Sequence, residues 1–182
     1  MPEEKWHLRR EETLGESSFI TLRQNDYVLP DGTPMDGYYL LEERPGVNVV
    51  ALTEAGEMLL VRQYRPGLDA FVLECPAGFL EDDDEDVAER ARRELREETG
   101  YEADEWHSLG AVHSAPHRMR KTEHCYLARN ARRVGGQELD ETESVRFGRF
   151  PLAEVRRMVR DGEITSTTTM AVLLKALLVL EG

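Results

Sequence analysis

The chain has 182 residues, a length that fits one domain or one domain with an appended segment, and 40% of them are hydrophobic, which is enough for a sizeable core. Its formal charge of −13 argues against nucleic acid as a main partner, because phosphate backbones are bound by clustered Lys and Arg. Two cysteines, Cys75 and Cys125, are too few for a disulfide framework, so we expect reduced thiols and a cytoplasmic protein. The N-terminus lacks the apolar core of a secretory signal, and the most apolar stretch, residues 170–180, is too short to span a bilayer, so we expect no membrane partner.

Residues 1–46 are predicted to form a small unit of their own. Three segments have strand composition: residues 18–24, 26–29 and 38–42. Turn residues separate them at positions 25–26 and 31–34. A hairpin set of this size is only marginally stable alone, so we expect it to pack on something else.

A β-hairpin is predicted next, because the apolar segments 47–51 and 57–63 flank the turn-like sequence Thr-Glu-Ala-Gly. Arg62 and Arg65 lie at the end of its second strand, in the sequence VRQYRPG. The plain interpretation of Arg65 is a surface charge at the end of the strand. A further short strand, residues 71–75, leads into a Pro-Ala-Gly turn.

The rest of the chain is organised around residues 76–101, which contain an acidic run and then a predicted helix over residues 87–99. At 100° per residue, Glu94, Glu97 and Glu98 share one arc of this helix. Three carboxylates so close together repel one another unless a cation lies between them, and Mg²⁺ prefers carboxylate and phosphate oxygens. The alternative, in a chain with 36 acidic residues, is a solvated acidic face.

The same stretch resembles the Nudix box, which runs Gly, five residues, Glu, seven residues, and then Arg-Glu-aliphatic-x-Glu-Glu-x-Gly-aliphatic. The matching residues are Gly78, Glu85, Arg93, Glu94, Leu95, Glu97, Glu98 and Gly100. Two features depart from the pattern, since six residues separate Gly78 from Glu85 and Tyr101 replaces the final aliphatic residue. The chain therefore resembles the Nudix hydrolase family, and in particular its branch of ADP-ribose pyrophosphatases and nucleoside diphosphate sugar hydrolases.

This resemblance implies an α/β fold in which a mixed β-sheet is sandwiched between α-helices, preceded by a small N-terminal antiparallel β-sheet. It implies a Nudix hydrolase domain over residues 47–182 and a separate sheet segment over residues 1–46. In the same branch such a sheet packs on, or swaps with, a partner subunit, so the resemblance implies a homodimer. The alternative is a hairpin folded back on its own domain.

The resemblance also implies the residues of the metal site. Glu94, Glu97 and Glu98, together with the backbone carbonyl of Ala77, would bind Mg²⁺ or Mn²⁺, and Glu97 and Glu98 would act in catalysis through the metal. The VRQYRPG motif is typical of the same branch, where its last Arg contacts nucleotide or sugar. Arg65, with Arg62 beside it, is therefore a candidate substrate-binding residue.

Two strands are predicted beyond the box, over residues 106–113 and 122–128, and a basic loop with the sequence SAPHRMRK joins them. The plain interpretation of this loop is a solvated surface. Alternatively, Arg118 contacts a substrate phosphate, because Arg makes bidentate contacts to phosphate. Related enzymes carry a Ser-Pro-Gly type of loop here, whereas this chain has Ala-Pro-His-Arg. Glu123 is a candidate acid next to the metal.

Residues 129–142 are predicted to be a loop that includes an acidic sequence, and such loops are usually only solvated. In ADP-ribose pyrophosphatases a glutamate of this loop is the catalytic base, and the resemblance favours Glu141 here, with Glu143 and then Glu138 as alternatives. Glu143 is otherwise expected to contact the substrate. A strand over residues 145–150 and helices over 152–161 and 170–180 complete the chain.

The expected function is metal-dependent hydrolysis of the diphosphate of ADP-ribose or of a nucleoside diphosphate sugar, giving a nucleoside monophosphate and a sugar phosphate. The metal would polarise the phosphate oxygens and lower the pKa of a bound water, whose proton Glu141 would take. One alternative is a pyrophosphatase for dinucleotides, such as diadenosine polyphosphates or NADH, or for coenzyme A. Another is a non-catalytic ADP-ribose sensor, although such modules usually lose the box glutamates, which are all present here.

Overall fold

The structure, a computed structural model, describes residues 4–81, 86–140 and 143–181. Its strands and helices, in chain order, are β1 (His7–Glu16), β2 (Ile20–Val28), β3 (Pro34–Glu43), β4 (Gly46–Thr53), β5 (Glu57–Arg65), β6 (Ala70–Glu74), β7 (Ala77–Phe79), α1 (Val87–Thr99), β8 (Tyr101–Glu102), β9 (Glu105–Val112), β10 (Met119–Arg120), β11 (Glu123–Arg133), β12 (Val145–Pro151), α2 (Leu152–Arg160) and α3 (Thr167–Glu181). They form two compact units, one of Met1–Arg44 with His113–Lys121 and one of Pro45–Val112 with Thr122–Gly182.

The first unit is a sheet in the order β1-β2-β3-β10, in which β1 to β3 are antiparallel and β10 runs parallel to β3. The predicted turn at positions 25–26 is wrong, because β2 runs through it as one strand. Asn25 is fully buried in that strand, and its amide donates hydrogen bonds to Glu11 (3.1 Å) and to the Tyr27 hydroxyl (2.8 Å). A shift of the β2–β3 register between Asn25 and Tyr27 absorbs the turn-like composition.

Strand β1 was not predicted from the sequence. All ten of its residues are exposed, so none of them has to be apolar. Its sequence, HLRREETLGE, accordingly shows no alternation of apolar and polar side chains. Its position is set by pairing with β2, from His7 opposite Val28 to Glu16 opposite Thr21. Only the neighbouring strand therefore identifies it.

The second unit is built on a sheet in the order β12-β5-β4-β11-β8, to which β6, β7 and β9 add. Strand β4 pairs parallel with β11 and antiparallel with β5 and β7, which confirms the predicted mixed sheet. The predicted loop over residues 129–142 is wrong at its start, because β11 continues to Arg133. A register shift between Ala128 and Ala131, with Asn130 at a positive φ of 57°, carries the strand past this polar stretch.

Helices cover both faces of this sheet, as predicted. On one face, Ala91 and Leu95 of α1 pack on a buried cluster that includes Leu59 of β5. On the other face, α2 and α3 pack on a cluster that includes Met58 and Leu60 of the same strand. Side chains alternate along a strand, so the odd-numbered residues of β5 point towards α1.

The bounds predicted for α1 are confirmed. The side chain of Asp86 accepts a hydrogen bond from the Ala88 N–H (2.9 Å) at its start. Gly100 ends it in the left-handed region at a φ of 72°, where glycine carries no steric penalty. No helix of the described residues has the length and apolar character needed to span a membrane.

Candidate active site

The box helix α1 carries two of its glutamates into the interior of the second unit. Glu94 and Glu98 are each only 3% exposed, whereas a third of the Glu97 side chain is exposed. Residues four apart lie one above the other on a helix, so the two buried carboxylates share one face. The same face carries the apolar residues that pack α1 on the sheet, and this packing holds the carboxylates in place.

The Pro-Ala-Gly turn and strand β7 lie against these carboxylates. The Ala77 N–H donates a hydrogen bond to the Glu98 carboxylate (3.0 Å). A Cβ atom at position 78 would overlap the Glu94 carboxylate, so any larger residue there would displace that carboxylate. Strand β7 is held by pairing with β4, in which Asn48 lies opposite Ala77. The structure therefore brings the predicted residues Ala77, Glu94 and Glu98 together.

Burial dominates the electrostatics of the box glutamates. It raises the pKa of Glu94 to about 7, although the Arg90 guanidinium acts in the opposite direction. Burial also raises the pKa of Glu98 well above its usual value, and the charge of Glu94 raises it further. The pKa of Glu97 is raised, again chiefly by burial. Positive charge close to these carboxylates would favour their ionised forms.

An arginine that the sequence analysis missed supplies part of this charge. Arg90 forms ion pairs with Glu94 and, at 2.9 Å, with Glu81. It lies four residues before Glu94, and this i, i+4 spacing was the signal available in the sequence. The box arginine, Arg93, lies 3.3 Å from Glu81 and 3.9 Å from Glu97. Both arginines therefore tie the loop before α1 to the box acids.

The loop that follows β11 is attached to the C-terminal end of α1. The Gln137 side-chain amide donates to the Glu98 carbonyl (2.7 Å), and the Glu138 N–H donates to the Glu97 carbonyl (2.8 Å). The Glu143 charge raises the pKa of all three box glutamates, which places its carboxylate near them. Glu141, the predicted base, lies outside the described residues.

The two arginines of the VRQYRPG motif lie on opposite faces of β5. Arg65 points towards α1, where it pairs with Glu74 (2.7 Å) and lowers the pKa of Glu98. Arg62 points towards the other face, and its guanidinium lies over the Phe71 ring at 5.6 Å. The structure thus brings Arg65, but not Arg62, to the side of the sheet that carries the box.

Arg118 belongs to the first unit. Its guanidinium lies over the Tyr38 ring, 4.7 Å from the centroid, and donates to the Tyr39 carbonyl (3.3 Å). These contacts fix the side chain within the sheet of that unit. Its predicted role in substrate binding stays a prediction.

Glu123, at the start of β11, is 6% exposed and accepts a hydrogen bond from the Asn48 amide (2.9 Å). A Cβ atom on Gly46 would come within 2.6 Å of the Glu123 carboxylate and 3.1 Å of the Gly78 carbonyl. These distances place Glu123 beside the turn that contacts Glu94. This buried carboxyl group is a further acid of the candidate site.

The donor chemistry of this site fits a hard divalent cation. Buried carboxylates that raise one another's pKa, beside the peptide groups of Ala77 and Gly78, are the oxygen-rich surroundings that Mg²⁺ prefers. As the described residues are placed, no three acidic, histidine or cysteine side chains are close enough to hold one ion, and Arg90 pairs with Glu94. Metal binding would therefore exchange the Arg90 pair for the cation.

Comparison with known proteins identifies the family of this chain. The NUDIX domain pattern matches residues 42–168. An ADP-ribose pyrophosphatase of Mycobacterium tuberculosis is 32% identical over 172 residues, which cover 94% of this chain and 83% of that protein. A GDP-mannose pyrophosphatase of Klebsiella pneumoniae is 28% identical, covering 87% and 84%. The solved structure of an ADP compounds hydrolase superposes with a TM-score of 0.83 over 98% of this chain and 96% of that one, at 24% identity. The NUDIX match covers well over half of the chain, and the protein therefore belongs to the NUDIX domain family.

Proposed function

We propose that the protein hydrolyses the diphosphate bond of ADP-ribose or of a nucleoside diphosphate sugar, giving a nucleoside monophosphate and a sugar phosphate, with Mg²⁺ or Mn²⁺. The observation that carries this proposal is the pair of buried carboxylates, Glu94 and Glu98, held against the Ala77-Gly78 turn. Similar proteins include an ADP-ribose pyrophosphatase and a GDP-mannose pyrophosphatase. Diphosphate hydrolysis needs charge neutralisation and an aligned water, which such a site supplies when a metal is bound.

The residue roles follow from this arrangement. Glu94, Glu97, Glu98 and the Ala77 carbonyl would hold the metal, which neutralises phosphate charge and acidifies a bound water when present. Arg65 lies on the same side of the sheet and is exposed enough to contact the substrate.

For the base we keep Glu141, with Glu143 as the alternative. The position of Glu143 near the box supports a role for this loop. The Glu143 N–H donates a hydrogen bond to the Asp140 carbonyl (2.9 Å). If the base lies in this loop, either Glu141→Gln or Glu143→Gln should abolish the rise of kcat with increasing pH. The residue whose replacement leaves that rise intact is not the base.

We further propose that the enzyme is a homodimer of the cytoplasm. The first unit exposes Leu14 (45%), Phe19 (63%) and Tyr39 (48%), apolar side chains that a partner subunit would cover. Free Cys75 and Cys125 suit a reducing compartment. Light scattering of the purified protein tests the dimer, and a monomeric mass would reject it.

The deciding experiment is a substrate panel with Mg²⁺ and with Mn²⁺, in which products are resolved by chromatography. The panel compares ADP-ribose, GDP-mannose, NADH, a diadenosine polyphosphate, coenzyme A and a nucleoside triphosphate. Glu98→Gln removes one buried carboxylate, and Glu54→Gln, in the exposed turn between β4 and β5, is the matched control.

We expect AMP from ADP-ribose or a nucleoside monophosphate from a nucleotide sugar, with turnover lost in Glu98→Gln and kept in Glu54→Gln. Preferred turnover of NADH, diadenosine polyphosphate or coenzyme A would replace the substrate class but keep the metal site. Tight ADP-ribose binding without turnover of any compound would identify a sensor instead.

A further inference from the structure

Helix α1 has a second face of interest, which is turned away from the buried glutamates. It borders a groove of about 330 Å³, whose lining residues are Glu89, Arg92, Arg93, Arg96, Glu102, Ala103 and Trp106. We propose that this groove binds a nucleoside monophosphate, with the phosphate on the arginines and the base and sugar against the apolar wall. The proposal concerns a site separate from the candidate active site and does not depend on the proposed hydrolysis.

The groove is separated from the buried carboxylates of Glu94 and Glu98 by the helix itself. Arg92 and Arg96 lie about half a turn around α1 from Glu94, since each residue advances the helix by roughly 100°. The α-helix with its side chains is about 10 Å across, so a ligand in the groove would not contact Glu94 or Glu98. Anion binding here therefore does not meet the repulsion of those two buried acids.

The charge balance of the groove lining is positive, in contrast to the chain as a whole. Three guanidinium groups face two carboxylates there, whereas the whole chain carries a net charge of −13. Guanidinium groups donate paired hydrogen bonds that match phosphate oxygens. Three arginines that line one groove can donate to the oxygens of a small anion.

Arg96 is the arginine most available to a ligand. Its side chain is 52% exposed, and the carboxylates of Glu102 and Glu138 lie 3.7 and 3.6 Å away, which is beyond hydrogen-bond distance. Among the residues that the structure describes, no hydrogen bond uses its guanidinium N–H groups. A phosphate could take these donors without breaking an existing hydrogen bond.

The opposite wall of the groove is formed by Ala103 and the Trp106 ring. Trp106 is fixed by a hydrogen bond from its indole N–H to the Ala103 carbonyl (3.0 Å) and by a T-shaped contact with Tyr126. Arg92 lies over the indole ring at 5.3 Å and is held from its other side by Glu89 (2.7 Å). Such a preorganised cation–aromatic wall costs little entropy to order on binding. It favours an anion with a planar or apolar body over a bare inorganic ion.

Trp106 also provides the reporter for the test, because the chain contains only one other tryptophan, Trp6. In the full-length Trp6→Phe protein, tryptophan fluorescence then reports on the groove alone. AMP and inorganic phosphate are titrated separately in EDTA, which removes divalent metals from the candidate active site. The same titrations are run after adding Arg96→Gln, Glu102→Gln or Arg156→Gln to this background.

We expect a saturable fluorescence change with AMP, and an affinity for inorganic phosphate at least about tenfold weaker. Arg96→Gln should weaken AMP binding about tenfold or more, since it removes a charged donor to phosphate. Glu102→Gln should strengthen AMP binding, because it removes a competing carboxylate. Arg156→Gln removes a comparable ion-paired arginine on α2, 46% exposed and bonded to Glu181, and should leave binding unchanged.

The proposal is decided by the direction in which Arg96→Gln and Glu102→Gln change the affinity for AMP. Equal AMP affinity in Arg96→Gln and Glu102→Gln, or no saturable change in the parent protein, would overturn it. Equal affinity for AMP and inorganic phosphate would also overturn it, because the apolar wall would then contribute nothing. A repeat of the AMP titration in Glu98→Gln should give the same curve, and its loss would assign the signal to the candidate active site.

Discussion

The Glu94 carboxylate occupies the space that a side chain at position 78 would need. A Cβ atom built on Gly78 would overlap both carboxylate oxygens of Glu94, and Gly78 belongs to the strand β7 that pairs with β4. The backbone of the turn and the buried glutamate of α1 are therefore in direct contact. This contact joins the first glycine of the Nudix box to its helix. The acidic loop between them carries the one extra residue.

The first prediction tests this contact. Gly78→Ala should displace the Glu94 carboxylate and lower kcat by about 100-fold, because a misplacement of about 1 Å in a catalytic group costs a factor of this order. Gly67→Ala is the matched control, since a Cβ atom there meets no atom within 4 Å. Steady-state kinetics with the best substrate of the panel measures both. Equal kcat values for the two variants would show that the close contact does not matter for activity.

The second prediction concerns pH and metal. Burial raises the pKa of Glu94 from 4.5 to about 7, so between these values the unfolded chain releases a proton that the metal-free fold retains. This contribution to stability is present below pH 4.5 and is lost as the pH rises towards 7.

In EDTA, we therefore expect the free energy of unfolding to fall between pH 5 and pH 7.5, and the fall should be smaller in Glu94→Gln. Mg²⁺ should raise Tm most at the upper end of this range, because it binds the ionised carboxylates of the folded state. Urea unfolding at several pH values, with and without Mg²⁺, measures both effects. If the free energy of unfolding falls with pH as steeply in Glu94→Gln as in the wild type, the pH dependence does not come from Glu94.

The third prediction concerns the two cysteines, which are free and fully buried. Burial raises the pKa of the Cys125 thiol to about 11, and it raises the pKa of the Cys75 thiol further. Because only the thiolate reacts, Ellman's reagent at pH 8 should release almost no colour from the native protein and two equivalents after unfolding in guanidinium. Cys125→Ala should release one equivalent after unfolding. Rapid reaction of either thiol in the native protein would contradict the buried positions.

The fourth prediction concerns two like charges on neighbouring strands. Arg146 of β12 lies directly opposite Arg62 of β5, and neither forms an ion pair with another residue in the described part of the chain. Like charges in directly opposite positions destabilise a sheet, so Arg146→Glu should raise the free energy of unfolding by about 0.2–1 kcal/mol.

Arg149→Glu, on the same strand, is the control with the opposite sign. Arg149 lies 3.5 Å from Glu57, so its replacement by Glu should lower stability. Urea unfolding at low and high salt measures both variants, and the gain in Arg146→Glu should shrink as salt screens the charges. A loss of stability in Arg146→Glu would contradict the predicted repulsion between Arg146 and Arg62.

Local signals in the sequence were sufficient for the box helix. Its cap, its left-handed terminal glycine and the spacing of its three glutamates all act within a few residues of one another, and the predicted span of α1 is the observed one. The mixed sheet between helices was implied by the Nudix resemblance and is also observed. Strand β1 and the uninterrupted β2 were not predicted, because an exposed strand has no alternation and a bulge looks like a turn.

What the sequence by itself determined is the chemistry of the site: the carboxylates, their spacing on one helix face and the family to which the chain belongs. Only the tertiary structure decided which partners meet them, since contacts such as Ala77 with Glu98 and Gly78 with Glu94 join segments that are far apart in the chain. It also placed Arg65 and Arg62 of the same motif on opposite faces of β5. The reason is that a β-strand sends successive side chains to opposite faces, and packing against α1 determines which face belongs to the site.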